Sequence, residues 1–167
     1  MSTACFFSRK KIELSSKLIL KGDSRMLKGV PSVLSPDLMK VLMDMGHGDE
    51  LVLADGNFPA ATMARRLVRA DGLAIPPLLE AILKFFPLDQ YVQRPAILMQ
   101  VVAGDPVKPT IWNEYRRIIQ ASGEKFVEFE QIERNAFYQR AKDAFAVAAT
   151  SEAALYANII LKKGVVT

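Results

Sequence analysis

The chain contains a single histidine, His47, which lies between two glycines. Imidazole is the only side chain whose unperturbed pKa lies near neutral pH, so it can both donate and accept a proton under physiological conditions. Three carboxylates follow within eight positions, at Asp49, Glu50 and Asp55. This spacing predicts a proton-transfer site at His47, unless the histidine serves only to cap the carbonyls of a preceding helix.

Asp55 follows an apolar segment, residues 51–54, whose composition predicts a buried strand. In α/β proteins, residues at the carboxyl end of a strand commonly face the ligand crevice. Asp55 is therefore a candidate to bind a ligand or to hold His47. The alternative is a local role, in which the carboxylate accepts a backbone N–H in the turn before Phe58.

Two pairs of polar residues further along the chain could also bind a ligand. Arg134 and Tyr138 are four positions apart on a predicted helix and therefore share one face. Tyr156 and Asn158 are two positions apart at the start of a predicted strand, so their side chains point to the same side. The guanidinium and phenol of the first pair suit a sugar or an oxyanion, and the phenol and amide of the second suit a polyhydroxylated ligand. A solvent-facing helix and a strand edge would explain the two pairs without any ligand. Asp89, after a predicted helix, is either a further ligand or a turn residue.

Helical and strand patterns alternate along the chain from residue 26 onwards. The alternation predicts a single α/β domain in which helices cover a mostly buried sheet. Ser35 and Pro36 predict the N-cap and the first residue of the first helix. The predicted helices cover residues 35–46, 59–66, 76–86, 110–123 and 133–143, and the predicted strands cover residues 50–54, 67–69, 96–102, 126–132, 145–149 and 157–162.

Several common active-site motifs are absent from the sequence. It has no G-x-G-x-x-G segment after a strand, no Walker loop and no G-x-S-x-G elbow. Cys5 is the only cysteine, which excludes a disulfide within one chain and a zinc site built from cysteines. These absences weigh against nucleotide cofactors, serine hydrolysis and metal catalysis, so no cofactor and no metal are predicted.

The excess of positive charge is confined to one end of the chain. The 167 residues carry a net charge of +4, and residues 1–25 contain six Lys or Arg against two acidic residues. Residues 26–167 are therefore neutral overall, without the positive excess that nucleic-acid binding needs. No apolar run reaches the length of a membrane span, and the N-terminus lacks the apolar core of a secretion signal. We expect no nucleic-acid partner, no membrane partner and a cytoplasmic location.

Residues 1–25 differ from the rest of the chain, because they are rich in Ser and Lys with one short apolar patch at residues 18–20. Three interpretations remain open. The segment is an extension upstream of a natural start at Met26, an arm used in assembly, or an organelle transit peptide. We therefore divide the chain into an N-terminal extension, residues 1–25, and a domain, residues 26–167.

An ordered set of short strings gives the domain a family resemblance. Residues 26–166 resemble the L-fucose mutarotase branch of the RbsD/FucU family, and the set is specific although any one string alone is weak. The strings are Leu27-Lys28-Gly29-Val30-Pro31, Leu34-Ser35-Pro36, Met45-Gly46-His47-Gly48-Asp49-Glu50, Ala54-Asp55, Asn57-Phe58-Pro59-Ala60, Arg69-Ala70-Asp71-Gly72, Pro87-Leu88-Asp89, Ala136-Phe137-Tyr138, Arg140-Ala141, Tyr156-Ala157-Asn158 and Leu161-Lys162-Lys163-Gly164-Val165.

The resemblance implies an α/β/α sandwich with a mixed sheet and an isomerase that interconverts the anomers of a free monosaccharide without cofactor or metal. It also implies a homo-oligomer, commonly a ring of about eight or ten subunits, with sites near subunit contacts. A composition in which half of the residues are hydrophobic agrees with such burial. The residues implied are His47 as proton donor, Tyr138 as the second catalytic residue, and Asp55, Asp89, Arg134, Tyr156 and Asn158 as substrate ligands.

One residue departs from the family pattern, because Ala157 stands where the family has glycine. If this position requires a positive φ, alanine costs about 1 kcal/mol and the loop shifts. Because Tyr156 and Asn158 are retained, we still expect sugar binding.

Anomer exchange needs one group that removes the anomeric hydroxyl proton and one that protonates the ring oxygen. Three alternatives to L-fucose mutarotation remain. They are D-ribose pyranase activity, a non-catalytic oligomeric sugar-binding protein, and a structural ring. The strings Asn57-Phe58-Pro59 and Pro87-Leu88-Asp89 favour the fucose branch.

Overall fold

The computed structural model describes residues 27–166, so the interpretations of residues 1–25 lie outside the described part of the chain. A six-stranded sheet has the order β2-β5-β1-β6-β3-β4. The helices are α1 (Pro36–Asp44), α2 (Ala60–Met63), α3 (Ile75–Ile82), α4 (Ile111–Ala121) and α5 (Arg134–Asp143), and the strands are β1 (Glu50–Ala54), β2 (Leu67–Ala70), β3 (Ala96–Met99), β4 (Glu130–Ile132), β5 (Ala146–Thr150) and β6 (Ile159–Lys162).

The sheet is mixed, and its four central strands, β5, β1, β6 and β3, are buried on both faces. Strand β1 runs parallel to β5 and antiparallel to β6, and alternate residues of β1 face opposite layers. Leu51 and Leu53 pack with α1, α3 and α4, whereas Val52 and Ala54 pack with α2 and α5. The predicted α/β/α sandwich with a mixed sheet is therefore confirmed.

The first helix begins as predicted. The Ser35 hydroxyl accepts the backbone N–H of Leu38 at 3.2 Å, and Pro36 occupies the first helical turn, where its missing N–H leaves no hydrogen bond unmade. The helix ends at Asp44, two residues before Gly46. The loop with His47 therefore starts directly at the helix terminus.

Three predicted strands are shorter in the structure. The last of them, β6, begins at Ile159, so Tyr156 and Asn158 precede the strand on which they were predicted to lie. β3 ends at Met99, because its partner β4 offers only residues 130–132 for pairing. Residues 101 and 102 enter a loop, which turns where the N–H of Asp105 donates to Val102 O at 3.0 Å. The alternation at residues 126–129 arises from aromatic packing instead, since the rings of Phe126 and Phe129 lie 4.8 Å apart.

Two helices also end three or four residues before their predicted limits. α2 ends at Met63, and α3 spans only Ile75–Ile82. Thr110 precedes α4 but makes no side-chain capping hydrogen bond. None of the helices described within residues 27–166 is long and apolar enough to cross a membrane.

A partly buried arginine ties α5 to the sheet. Arg140 donates three N–H contacts to the Glu50 carboxylate at the start of β1, at 2.7–3.1 Å, and a further one to Glu130 of β4 at 3.0 Å. Such forked pairing fixes direction as well as distance. The carboxylate of Glu50 is therefore a structural partner of Arg140.

The segment after β6 lies tightly against the loop after α3. The N–H of Gly164 donates to Pro87 O at 2.8 Å, and the N–H of Asp89 donates to Lys162 O at 3.0 Å. A Cβ added to Gly164 would lie 2.5 Å from Leu88 O. Because that neighbour is backbone, only glycine fits without a shift of the chain.

We expect Gly164→Ala to lower the free energy of unfolding by about 1–3 kcal/mol, the scale of an overpacked site. Gly46→Ala is the matched control, since the nearest atom to its added Cβ is 3.8 Å away. Urea unfolding of both variants measures the difference. Equal stability of the two variants would contradict the close approach at Gly164.

Candidate active site

A cleft of about 220 Å³ opens at the carboxyl end of β1. Five of the seven residues predicted for the site line it, and they come from three separate parts of the chain. The lining residues are Asp55, Asn57, Phe58, Met99, Asp105, Arg134, Tyr138, Leu155, Tyr156 and Asn158.

Asp55 and Asn158 join the end of β1 to the start of β6 through two hydrogen bonds. Asn158 Nδ2 donates to Asp55 Oδ2 at 2.6 Å, and the backbone N–H of Asp55 donates to Asn158 Oδ1 at 2.9 Å. Both side chains are buried. The reciprocal pair fixes the orientation of the amide, because each of its polar atoms has a defined partner.

The Asp55 carboxylate also makes the local turn that the sequence offered as the alternative interpretation. Its Oδ1 accepts the N–H of Asn57 at 3.0 Å. Burial raises the pKa of Asp55, while hydrogen bonds from Asn57, Phe58 and Asn158 oppose that rise and the Glu152 charge adds to it. A buried carboxylate at the mouth of a cleft is typical of functional sites.

The first turns of α5 bring Arg134 and Tyr138 to the cleft. The Glu133 carboxylate caps the helix by accepting the N–H groups of Asn135 at 2.8 Å and Ala136 at 3.3 Å. The ring of Tyr138 meets that of Phe58 edge to face at 5.6 Å. Both predicted side chains therefore line the same cleft as Asp55, with Arg134 the more exposed.

The backbone around Tyr156 settles the question raised by Ala157. Tyr156 has φ of 58°, and it is the only non-glycine residue among residues 27–166 with a positive φ. Trp112 Nε1 donates to Tyr156 O at 2.8 Å, and the Tyr115 hydroxyl donates to Ala157 O at 2.8 Å. The strain that a positive φ would impose at Ala157 does not arise, since the residue in the left-handed conformation is Tyr156. Ala157 is instead a buried core residue.

His47 and Asp89 form a second cluster, apart from this cleft. His47 Nε2 lies 3.3 Å from Asp89 Oδ1, which also accepts the N–H of Tyr91 at 2.9 Å. The rings of His47 and Tyr91 meet edge to face at 5.5 Å. The His47 side chain is 46% exposed while that of Asp89 is 3% exposed, so a buried carboxylate orients an accessible imidazole.

Lys163 holds the loop that carries His47. Its ammonium group donates to Leu42 O at 2.9 Å and to Met45 O at 2.5 Å, which satisfies carbonyls at the end of α1. Its backbone carbonyl accepts the N–H of Gly48 at 2.8 Å. Asp49 has a local role as well, because its Oδ2 accepts the N–H of Gly46 at 2.7 Å.

The two clusters lie at opposite ends of the sheet. His47 precedes β1 and Asp55 follows it, and the strand rises about 13 Å over the four steps between its end residues. The expectation that Asp55 holds His47 therefore fails within one chain, where Asp89 contacts His47 instead. His47 and Asp55 are only eight residues apart in sequence, but the extended strand β1 lies between them and keeps their side chains apart in space.

Sequence reasoning missed three residues of these clusters. Asp105 lines the cleft and accepts a hydrogen bond from the Tyr156 hydroxyl, and Tyr91 packs on His47. The negative charge of Glu152 contributes to the raised pKa of Asp55. Glycine and proline beside Asp105 mark a turn, which identifies a loop but not its contact 51 residues away. Within residues 27–166, no group of three or more His, Cys, Asp or Glu residues is arranged to hold a metal ion.

Comparisons with known proteins agree with this architecture. The model of the RbsD / FucU transport protein family matches residues 28–166. The chain is 52% identical over 145 residues to the fucose mutarotase of Homo sapiens, covering 83% of this chain and 94% of that one. It is 49% identical over 140 residues to an L-fucose mutarotase of Actinobacillus pleuropneumoniae, covering 84% and 97%.

The fold of the chain is also similar to that of a solved structure. The crystal structure of the fucose mutarotase of Streptococcus pneumoniae in complex with L-fucose is 52% identical, with a TM-score of 0.81, and the match covers 84% of this chain and all of that one. The resemblance read from the short strings is thereby confirmed, and the chain belongs to the RbsD/FucU family.

Proposed function

We propose that the chain is an L-fucose mutarotase, an isomerase that interconverts the α and β anomers of the free sugar. The similarity to a structure with L-fucose bound carries this assignment, because it extends over the whole length of that protein at 52% identity. The polar cleft around Asp55 and Asn158 supports it independently. Carboxylate, amide, guanidinium and phenol groups together match the hydroxyl groups of a monosaccharide.

Mutarotation proceeds through an open-chain aldehyde. A base removes the proton of the anomeric hydroxyl while an acid protonates the ring oxygen, and the C1–O5 bond opens. Rotation about C1–C2 and closure on the other face of the carbonyl return both protons. No proton is consumed overall, so the protein needs only positioned acid and base groups, each contributing about 10²–10⁴-fold.

In the mechanism we propose, His47 protonates the ring oxygen and Tyr138 serves the anomeric hydroxyl. Asp55 and Asn158 bind neighbouring hydroxyl groups of the sugar. Arg134 and Tyr156 bind the remaining ones, as their places in the cleft support. Asp89 has an orienting role, because its contact with the imidazole and its burial favour this over direct contact with the sugar.

These roles require a second copy of the chain. His47 cannot reach the cleft of its own chain, since β1 separates them. We infer a homo-oligomer in which the His47 cluster of one copy closes the cleft of another. Tyr91, which packs on His47, and Met43, in the last turn of α1, are each more than three-quarters accessible and supply apolar surface for such a contact.

Two finer points stay predictions. A ring of about eight or ten subunits follows from the resemblance alone and is tested by native mass measurement. A cytoplasmic location is tested by fractionation of cells that contain the protein.

We expect His47→Ala to slow L-fucose anomer exchange by at least about tenfold, because it removes the proposed acid. Saturation-transfer NMR between the two anomer signals measures the rate with and without protein. Circular dichroism and elution volume establish that the variant keeps its fold and assembly. An unchanged rate at matched protein concentration would exclude His47 from the proton path.

The same measurement separates the competing activities. D-ribose pyranase activity would accelerate the exchange of ribose between pyranose and furanose forms instead. A sugar-binding protein without catalysis would bind L-fucose and leave exchange at the solvent rate. A structural ring would show no rise in melting temperature with either sugar.

Mixing two inactive variants tests the shared site. His47→Ala subunits keep an intact cleft, and Asp55→Ala subunits keep an intact imidazole. After unfolding and refolding together, about a quarter of the contacts should pair the intact halves, so part of the activity returns. Each variant refolded alone is the control, and no recovery in a mixed oligomer would contradict a site shared between copies.

A further inference from the structure

The hydroxyl of Tyr156 is engaged by the loop that covers one side of the cleft. Tyr156 Oη donates to Asp105 Oδ2 at 2.6 Å, and the N–H of Val102 approaches Tyr156 Oη at 3.4 Å. A phenol has one proton and two lone pairs. The phenol proton is used in the hydrogen bond to Asp105, and one lone pair faces the N–H of Val102. The oxygen therefore has a single lone pair left to accept a hydrogen bond from a ligand.

We propose that Asp105 is a positioning residue for sugar binding, which keeps the Tyr156 phenol oxygen as a hydrogen-bond acceptor toward the cleft. Without this carboxylate the phenol could rotate its proton toward the sugar and act as a donor. With this carboxylate in place, Tyr156 binds a sugar hydroxyl that donates a hydrogen bond to the phenol oxygen. The inference rests on the proposed function, since it concerns the same cleft.

The charges of the pair agree with this direction of hydrogen bonding. The hydrogen bond from Tyr156 holds the pKa of Asp105 below its ordinary value, assisted by the N–H of Val107. The same bond raises the pKa of Tyr156, because the ionised carboxylate stabilises the protonated phenol. Asp105 is therefore the acceptor and Tyr156 the donor at neutral pH.

The loop geometry makes Asp105 a rigid anchor. Its second oxygen, Oδ1, accepts the N–H of Val107 at 3.0 Å, and its own N–H donates to Val102 O at 3.0 Å. On the other side, Tyr156 is fixed by its carbonyl bond to Trp112. Both partners of the bond are thus held by contacts that do not involve a ligand.

Asp105→Asn reverses this one hydrogen bond and leaves the loop intact. The amide oxygen can still accept the N–H of Val107, while the amide NH₂ faces Tyr156 Oη and donates to it. The phenol must then turn its proton toward the cleft. Asp71→Asn is the matched control, since Asp71 is an exposed aspartate whose carboxylate bonds, among residues 27–166, only to Arg69.

The test measures L-fucose affinity by calorimetry and anomer exchange by saturation transfer, for Asp105→Asn, Tyr156→Phe and the double variant. We expect each single variant to lose about tenfold in affinity and in kcat/KM, the scale of one mismatched hydrogen bond. In the Tyr156→Phe background, Asp105→Asn should add less than about twofold, because its partner is gone. Asp71→Asn should match the parent.

Two results would overturn the inference. One is wild-type affinity in Asp105→Asn, and the other is an equal loss with or without the Tyr156 hydroxyl. Failure of the proposed activity is distinguishable, because it appears as solvent-rate exchange in the parent protein. The calorimetric comparison then still decides the role of Asp105.

Discussion

The antiparallel pairing of β1 with β6 in the middle of the sheet determines where Asp55, Asn158 and His47 lie relative to one another. Glu50 pairs with Lys162 and Leu53 with Ile159, so the residues after β1 meet the residues before β6. One end of this ribbon carries Asp55 and Asn158, and the other carries His47. Because a strand is rigid and about 3.3 Å long per residue, one chain cannot bring the two ends together. The second copy of the chain in the mechanism that we propose follows from this pairing.

At each end, contacts between main chain and side chain fix the chemical groups. The two hydrogen bonds between Asp55 and Asn158 hold the Asn158 amide in one orientation. Both groups are buried, where an unmade hydrogen bond would cost about 1–3 kcal/mol. At the other end, Lys163 and the buried Asp89 hold the His47 loop and ring. Preorganisation of this kind suits a reaction that only relocates protons, because little reorganisation is left for the catalytic step.

The sequence predicted most elements because periodicity and capping are local. Ser35 and Pro36 mark the start of α1, and the spacing of Arg134 and Tyr138 places both at the cleft. Non-local contacts were not accessible in this way. Nothing in the spacing pairs His47 with Asp89, 42 residues away, or Tyr156 with Asp105. The strand predicted at residues 126–129 is absent for the same reason. The apolar alternation there comes from Phe126 and Phe129, whose rings pack against Arg116 from a distant part of the chain.

The most direct measurement uses the single imidazole of the chain as a reporter. His47 gives the one imidazole Hε1 NMR signal of the chain, from a ring that its own chain places away from the Asp55 cleft. Titration with L-fucose should shift this signal in the parent protein and leave it unchanged in Asp55→Ala, because the sugar would touch the cleft of one copy and the imidazole of another. An imidazole signal whose chemical shift stays unchanged while L-fucose binds in the cleft would contradict a mutarotase site shared between two copies.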